Sequence, residues 1–241
     1  MGNFIFNGIS AADMGLRVER IPDIPNPEKE MEYYDIPGLP GGLSSWKKTW
    51  KPVMVRYECW FKGGDVGKQA RDIRQWLHNA PTNARLEDTY DDQVYRLATY
   101  VGGGTIENIR ERYGRMEIAF RCDPRSYLKS GDSALNGTSS ILLNNTTGND
   151  AFPIIEVTGS TGGLLAIGDT SLLIRFPGYE KHTIRLDTLI REAWDITDGG
   201  ETSMNAWVTG TDWPKIVPGS NKITIDGGLE SVRVYPRWWK I

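Results

Sequence analysis

The stretch Val53–Phe61 has the sequence VMVRYECWF, in which every second residue is apolar. Successive side chains of a β-strand point to opposite faces of the sheet, so alternate residues share a face. One face of this stretch is apolar and carries Val53, Val55, Tyr57, Cys59 and Phe61. The other face carries Met54, Arg56, Glu58 and Trp60. The pattern predicts a strand with one buried face, and therefore a fold built on a β-sheet.

A second stretch, Met116–Cys122, shows the same alternation, and we expect its apolar face to pack in the same core. It ends the second of two extended runs, at about 84–101 and 105–122, which flank Gly102-Gly103-Gly104. Glycine adopts the positive φ angles that a chain reversal needs. The sequence therefore predicts a long β-hairpin over residues 84–122.

One segment has the pattern of a helix. Its apolar residues recur at spacings of four, three and four, and they are Val66, Ala70, Ile73 and Leu77. This spacing places them along one side of an α-helix. Asp65 can cap the first turn, and Asn79 and Pro81 can end the last one. We therefore predict a surface helix over residues 65–79 that lies on a sheet.

The length of 241 residues is sufficient for two domains that each bury a core. Between Ser130 and Asp150 the composition turns to Ser, Thr, Asn and Gly, which is typical of a domain boundary. We place the boundary near residue 130 and predict domains at 1–130 and 131–241. In the second domain, short apolar runs alternate with turns, as in a β-sandwich. The sequence thus predicts a mainly β fold with one helix.

The charge balance argues against several classes of partner. Basic and acidic side chains nearly cancel, leaving a formal net charge of −3, so the basic surface of a nucleic-acid-binding protein is missing. No apolar run is long enough to span a membrane, and the N-terminus lacks the pattern of a secretory signal. We expect a soluble protein made in the cytoplasm, without specific nucleic-acid binding or membrane insertion.

Few residues carry the chemistry of common active sites. The sequence has two cysteines and two histidines, Cys59, Cys122, His78 and His182, whose spacing fits no zinc or iron–sulfur site. Neither histidine lies near a serine-nucleophile motif. Both cysteines fall in the apolar phase of a predicted strand, which favours free buried thiols over a disulfide. We predict no catalytic residue, no metal site and no cofactor, and hence no enzyme.

Pairs of glycines occur at 162–163, 199–200 and 227–228. A nucleotide-binding glycine motif lies between a strand and a helix, and none of these pairs has that context. We therefore interpret all three pairs as turns.

Four acidic residues are grouped on the outgoing run of the predicted hairpin, namely Glu87, Asp88, Asp91 and Asp92. Several carboxylates can together bind calcium, but their spacing does not fit an EF-hand loop. We favour a solvated charged segment over a calcium site.

The sequence is rich in aromatic residues, and two groups of them are candidates for binding surfaces. Candidates for contacts between subunits are Met31, Tyr33, Trp46, Trp50 and Trp60, although packing within the domain is an alternative. Candidates for stacking on sugars are Trp207, Trp213, Trp238 and Trp239. The second group supports an alternative function, that of a lectin-like carbohydrate-binding module.

The order of several short motifs resembles that of the distal tail proteins of long-tailed bacteriophages. The motifs span nearly the whole chain and are Phe4–Ile9, Met14–Val18, Ile36–Gly38, Trp76–Leu77, Phe120–Pro124, Pro153–Val157, Pro218–Asn221 and Pro236–Trp239. Each motif alone is weak evidence, and their shared order and spacing are more specific. The resemblance implies an N-terminal β-sandwich with the helix and an extended hairpin arm, followed by a galectin-like β-sandwich.

The resemblance also implies a structural role in the virion. Such proteins form a ring, commonly a hexamer, at the distal end of the phage tail after assembly in the host cytoplasm. The ring connects the tail tube protein above to the tail-associated tip protein or baseplate below, and it can anchor receptor-binding proteins for host adsorption. DNA passes through its bore, so Glu87, Asp88, Asp91 and Asp92 are candidates for an acidic lining that repels DNA.

Overall fold

The computed structural model describes residues 2–38, 40–103, 107–110 and 113–241, with 107–110 described for the backbone alone. The chain divides into two compact units. The first unit is Met1–Ser126 together with Ile241, and the second is Tyr127–Lys240. Both are built mainly of β-strands, and the described residues include one α-helix. The expected fold class, mainly β with one helix, is confirmed.

The first unit contains a curled antiparallel sheet and a separate two-stranded ribbon. Its strands are β1 (Phe4–Phe6), β2 (Ile9–Ser10), β3 (Leu16–Val18), β4 (Lys29–Tyr34), β5 (Leu43–Trp50), β6 (Val53–Lys62), β7 (Ala84–Asp88), β8 (Val94–Gly102), β9 (Glu107–Arg110) and β10 (Tyr113–Cys122). The strands of the sheet are ordered β2-β1-β7-β8-β10-β6-β3, and β9 pairs with β10. The ribbon consists of β4 and β5.

The core of the first unit lies between this sheet and helix α1 (Val66–Asn79). The carboxylate of Asp65 caps the helix by accepting a hydrogen bond of 2.8 Å from the backbone N–H of Lys68. The helix buries Val66, Ala70, Ile73, Trp76 and Leu77. The ring of Trp76 stacks on Phe4 with centroids 6.0 Å apart. A capped amphipathic helix therefore covers the apolar face of the sheet.

Both cysteines are free and buried in this core, Cys59 on β6 and Cys122 on β10. Burial disfavours the thiolate, and it raises the pKa of each thiol to about 12.

The structure differs from the hairpin predicted over residues 84–122. The outgoing run is interrupted, because β7 and β8 are separate strands that pair with each other, with Leu86 opposite Arg96. β10 pairs along its whole length with β6, from Tyr113 to Cys122, and with β8 only from Ala119 onwards. β10 is thus a central strand of the sheet. Gly104 of the predicted reversal, and residues 105–106 and 111–112 of the predicted return run, lie outside the described residues.

The second unit contains a nine-stranded antiparallel sheet that curls around a second core. Its strands are β11 (Ser126–Leu128), β12 (Leu135–Gly137), β13 (Ser140–Asn145), β14 (Ile154–Ile167), β15 (Thr170–Ile174), β16 (His182–Asp187), β17 (Glu192–Asp195), β18 (Thr202–Ser203), β19 (Val208–Gly210), β20 (Gly219–Tyr235) and β21 (Trp239–Lys240). Of these, β11 and β21 pair with each other outside the nine-stranded sheet. Short 3-10 helices lie at Lys129–Asp132 and Asn205–Trp207.

Two long strands, β14 and β20, connect the two halves of this curled sheet. The strand order is β12-β20-β14-β16-β17-β18 in one half, while β13 pairs with β20 and β15 with β14 in the other. Because β12 and β13 lie in the polar stretch 130–150, that stretch contributes strands to the sheet.

Two of the glycine pairs lie within β14 and β20, next to a shift in the pairing of these two strands, so the turns predicted there were wrong. Gly162 and Gly163 are within β14, and Gly227 and Gly228 are within β20. A β-carbon on Gly163 would lie 1.9 Å from the carbonyl oxygen of Asp226, which no side chain can tolerate. Glycine is needed here because the two backbones approach so closely. The third pair, 199–200, lies in a bend, as predicted.

Candidate functional site

The β4–β5 ribbon brings together four of the five predicted subunit-contact residues. Met31 on β4 pairs with Trp46 on β5, and Tyr33 pairs with Ser44. Directly opposed residues of two strands share a face, so Met31, Tyr33 and Trp46 lie on one side of the ribbon. Trp50 joins them, since its ring contacts that of Trp46 edge to face, with centroids 5.1 Å apart. We call Met31, Tyr33, Trp46 and Trp50 the aromatic face.

The aromatic face is partly exposed in the single chain, with Met31 and Trp50 half-buried. Tyr33 is 76% exposed and Trp46 is 38% exposed. The ammonium group of Lys29 lies over the Trp46 ring, 4.9 Å from its centroid, which is a cation–π contact. A two-stranded ribbon on its own is at best marginally stable in water. Further burial of this face would therefore stabilise the ribbon.

A bulge in β5 explains why Trp46 and Trp50 meet. Residues four apart in an extended strand are separated by roughly 13 Å. The pairing shifts between Lys29 and Met31, so β5 carries extra residues opposite them. Lys48 has a φ of 61°, in the left-handed region, and the indole N–H of Trp46 donates to the carbonyl of Thr49 at 3.0 Å. The bulge shortens the strand locally and brings the two indoles into contact.

The opposite side of the ribbon carries internally paired polar groups, together with the exposed Leu43, which opposes Tyr34. The ammonium group of Lys47 lies 3.5 Å from a carboxylate oxygen of Glu30 and 3.2 Å from one of Glu32. The hydroxyl of Tyr34 donates to Glu32 at 2.6 Å, and this bond, together with Lys47, holds the pKa of Glu32 below its ordinary value. The hydroxyl of Thr49 donates to Glu30 at 2.9 Å. This side is therefore suited to solvent, and the aromatic face to a partner.

The fifth predicted contact residue, Trp60, lies apart from the others on β6. It is half-buried, and Arg17 and Arg115 oppose it on the neighbouring strands. Trp60 thus belongs to the outer face of the main sheet of the first unit. The alternation of β6 shows the phase of Trp60 within its strand and not which surface that strand forms.

The four acidic residues do not form a common surface. Asp88 is only 8% exposed, and one of its carboxylate oxygens accepts hydrogen bonds of 3.0 Å from the backbone N–H groups of Tyr90 and Asp91. Glu87 is half-buried, and Arg85 lies 2.5 Å from its carboxylate. Asp91 and Asp92 are exposed in the turn between β7 and β8. The placement of Asp88 in a bore lining was therefore wrong, because its carboxylate closes this turn from inside.

The four tryptophans proposed to stack on sugars do not share a surface either. Trp239 is 6% exposed, and its indole N–H donates to the carbonyl of Asp150 at 2.8 Å. Trp213 and Trp238 are partly buried against the second core. Trp207 is 39% exposed. Stacking of a sugar on all four residues is excluded, since three of them serve packing within the second unit.

Within the part of the chain that the structure describes, no three His, Cys, Asp or Glu side chains are grouped closely enough to hold a metal ion. No described helix is long and apolar enough to cross a membrane.

No model of a known family matches the sequence, and no curated protein matches it. The fold nevertheless matches solved structures along its whole length. The Dit protein of phage SPP1, described as a paradigm of the hub adsorption apparatus in phages that infect Gram-positive bacteria, superposes with a TM-score of 0.62 at 14% identity. That match covers 100% of this chain and 98% of the other.

A second match is a chain in the baseplate of phage P2 in its activated conformation with Ca. It has a TM-score of 0.60 at 8% identity, and it covers 97% of this chain and 98% of the other. Both similarities are to phage structures, and at these identities they establish the fold. The chain therefore has the fold of a phage distal tail protein, as the order of its sequence motifs suggested.

Proposed function

We propose that this chain is a structural distal tail protein of a long-tailed phage, and that its copies form a ring through the aromatic face. The observation that carries the proposal is the exposure of Tyr33 and Trp46 beside Met31 and Trp50 on a two-stranded ribbon. These residue types are enriched in the buried centres of protein interfaces. The fold shared with the Dit protein of phage SPP1 and with a chain of the phage P2 baseplate supports this role.

A ring needs a head-to-tail contact, in which one surface of each copy binds a different surface of the next. The ribbon fits one side of such a contact, because the acidic groups on one side have their own ion pairs and Tyr33 and Trp46 on the other side are exposed. A second copy is therefore the occupant that we propose for the aromatic face. A hexamer is the expected ring size, from the family resemblance.

The expected partners are the tail tube protein on one side of the ring and the tail-associated tip protein or baseplate on the other. Receptor-binding proteins are expected to attach to the second unit. The expected location is the distal end of the virion tail, and the role is structural.

The full-length chain should run as a closed ring in size-exclusion chromatography with light scattering. Tyr33→Glu, which places a charge at an exposed position of the aromatic face, should shift the chain to monomers, and so should the double change Trp46→Ala and Trp50→Ala. Tyr179, in the second unit, is 89% exposed, so Tyr179→Glu is a matched control that should leave the ring intact. A monomeric wild-type chain at high concentration, or a ring that survives both aromatic-face variants, would refute the proposal.

Asp91 and Asp92 remain the candidates for an acidic lining of the bore, because both are exposed. Changing both to lysine should slow DNA ejection from assembled virions, since a basic bore attracts the phosphate backbone. Unchanged ejection kinetics in virions that carry this double variant would count against a bore position.

A further inference from the structure

One outer face of the second unit carries a row of five polar side chains and one tryptophan across six strands. Neighbours in the row are directly opposed by register, and in order they are Asn136, Arg233, Glu156, Arg185, Trp194 and Ser203. We call these six residues the polar row. The alternate positions of β14 and β16, such as Ile155 and Leu186, are fully buried in the second core. The row therefore lies on the solvent side of the sheet.

Glu156 holds the polar row together, because it pairs with the arginine on each side of it. It is 9% exposed, and a buried carboxylate is costly unless it is paired. One carboxylate oxygen accepts hydrogen bonds of 3.2 and 3.1 Å from the guanidinium of Arg185, and the other lies 3.5 Å from that of Arg233. Arg233 also donates to the side-chain oxygen of Asn136 at 3.1 Å. These bonds fix the orientation of both guanidinium groups, whose side chains stay 37% and 54% exposed.

A groove of about 490 Å³ lies beside Glu156. Its polar wall is formed by Asn136, Glu156, Thr158, Thr183, Ser231 and Arg233. The hydroxyl oxygens of Thr158 and Thr183 are 3.1 Å apart. A volume of this size falls within the usual range of small-ligand sites, roughly 300–1,000 Å³.

The side chains in the groove wall indicate which class of ligand would bind there. The charged groups at the groove balance, because Glu156 and Arg233 line it, and Arg185, which pairs with Glu156, also pairs with Glu201. No net charge there favours an ion. Hydroxyl, amide and guanidinium groups supply both donors and acceptors over a short distance. Trp194 adds an aromatic side chain on the same face, two strands from Glu156. A neutral ligand that carries many hydroxyl groups matches this pattern.

We propose that this groove of the second unit binds a neutral carbohydrate. The site differs from the four tryptophans discussed above and does not depend on ring formation. Recognition would rest on hydrogen bonds to fixed polar groups, with Trp194 available to a second sugar ring.

The full-length chain can be titrated with maltotriose, cellotriose, lactose and the trimer of N-acetylglucosamine, and binding followed by saturation-transfer NMR. At least one of these neutral sugars should bind, with a dissociation constant on the order of 1 mM or tighter. Polyglycerol phosphate serves as the anionic probe and should not bind. Lack of binding by all four sugars up to ~10 mM, or binding of polyglycerol phosphate alone, would overturn the proposal.

The double variant Thr158→Val and Ser231→Ala removes two hydroxyls from the groove and should weaken sugar binding about tenfold. The control is Thr224→Val with Ser171→Ala. These two half-buried residues both oppose Ala166, in the other half of the sheet. The control should bind sugar like the wild type. Equal losses in both double variants would show that the groove is not the site.

A measurement on the unmodified chain tests the site without any variant, so the result does not depend on a variant that fails to fold. Added sugar should shift the side-chain amide resonance of Asn136, which lines the groove. The resonance of Asn221, which is buried in β20, should not move. A shift of Asn221 without a shift of Asn136 would contradict the assigned site.

Discussion

The hydroxyl of Tyr57 donates a hydrogen bond of 3.3 Å to the carboxylate of Asp88 in the interior of the first unit. The other carboxylate oxygen of Asp88 accepts the backbone N–H groups of Tyr90 and Asp91. Asp88 therefore ties the β7–β8 turn to the central strand β6. A residue that the sequence placed among solvated acids is an internal support of the sheet.

Removal of this carboxylate should destabilise the first unit. Asp88→Ala leaves the buried Tyr57 hydroxyl and two backbone N–H groups without their acceptor, and we expect a loss of about 1–3 kcal/mol in the free energy of unfolding. Asp92→Ala is the matched control, since Asp92 is exposed in the same turn. Urea denaturation followed by circular dichroism measures both changes. Equal stability of the two variants would contradict this role for Asp88.

Gly163 should tolerate no side chain. A β-carbon there would lie 1.9 Å from the carbonyl oxygen of Asp226, and the two strands that would have to separate support both halves of the second unit. Gly163→Ala should therefore lower the free energy of unfolding by about 3 kcal/mol or more. For Gly200→Ala, nothing lies within 4 Å of the added carbon, so its thermal unfolding should match that of the wild type. A Gly163→Ala chain that melts at the same temperature would mean that the strands can move apart easily.

The strands and helix of the first core were predictable because their signals are local. β6 alternates along its own length, and helix α1 carries its cap and its apolar spacing within fifteen residues, Asp65–Asn79. The ribbon was only half predictable. β5 has the sequence LSSWKKTW, which lacks alternation because the bulge at Lys48 interrupts its phase.

The remaining features depend on contacts that are distant in sequence. The glycine pairs of β14 and β20 have the composition of turns, and only the pairing of the two strands shows why glycine is needed there. Likewise, Glu156, Arg185 and Arg233 are far apart in the chain and meet through strand register. Asp88 did leave a local signal, since it continues the inward phase of Ala84 and Leu86 along β7.

The two thiols should be unreactive in the folded protein. Burial raises the pKa of Cys59 and Cys122 to about 12, so at about pH 8 roughly one thiol in ten thousand is ionised, and the core also blocks access. Ellman's reagent should modify neither thiol until denaturant is added, and should then modify both. Ser45→Cys, at an exposed position opposite Glu32 on the other side of the ribbon, supplies a thiol that should react at once in the native chain. Rapid native modification of Cys59 or Cys122 would show that the first core opens readily.

Asp195 should make the stability of the second unit depend on pH in the acid range. Its burial raises the pKa, but hydrogen bonds from Thr197 and from His182, whose Nδ1 lies 2.6 Å away, outweigh this effect and hold the pKa of Asp195 below its ordinary value. A carboxyl whose pKa is lower in the folded state stabilises the fold above its unfolded pKa, about 3.9, and this stabilisation is lost as the pH falls through the folded value. Asp195→Asn should therefore unfold at a lower urea concentration than the wild type at about pH 5, and the two midpoints should converge as the pH approaches about 2. Asp198→Asn changes an exposed carboxyl nearby and should show no such difference at either pH. A constant gap between Asp195→Asn and the wild type across this range would mean that the Asp195 contacts contribute through packing and not through charge.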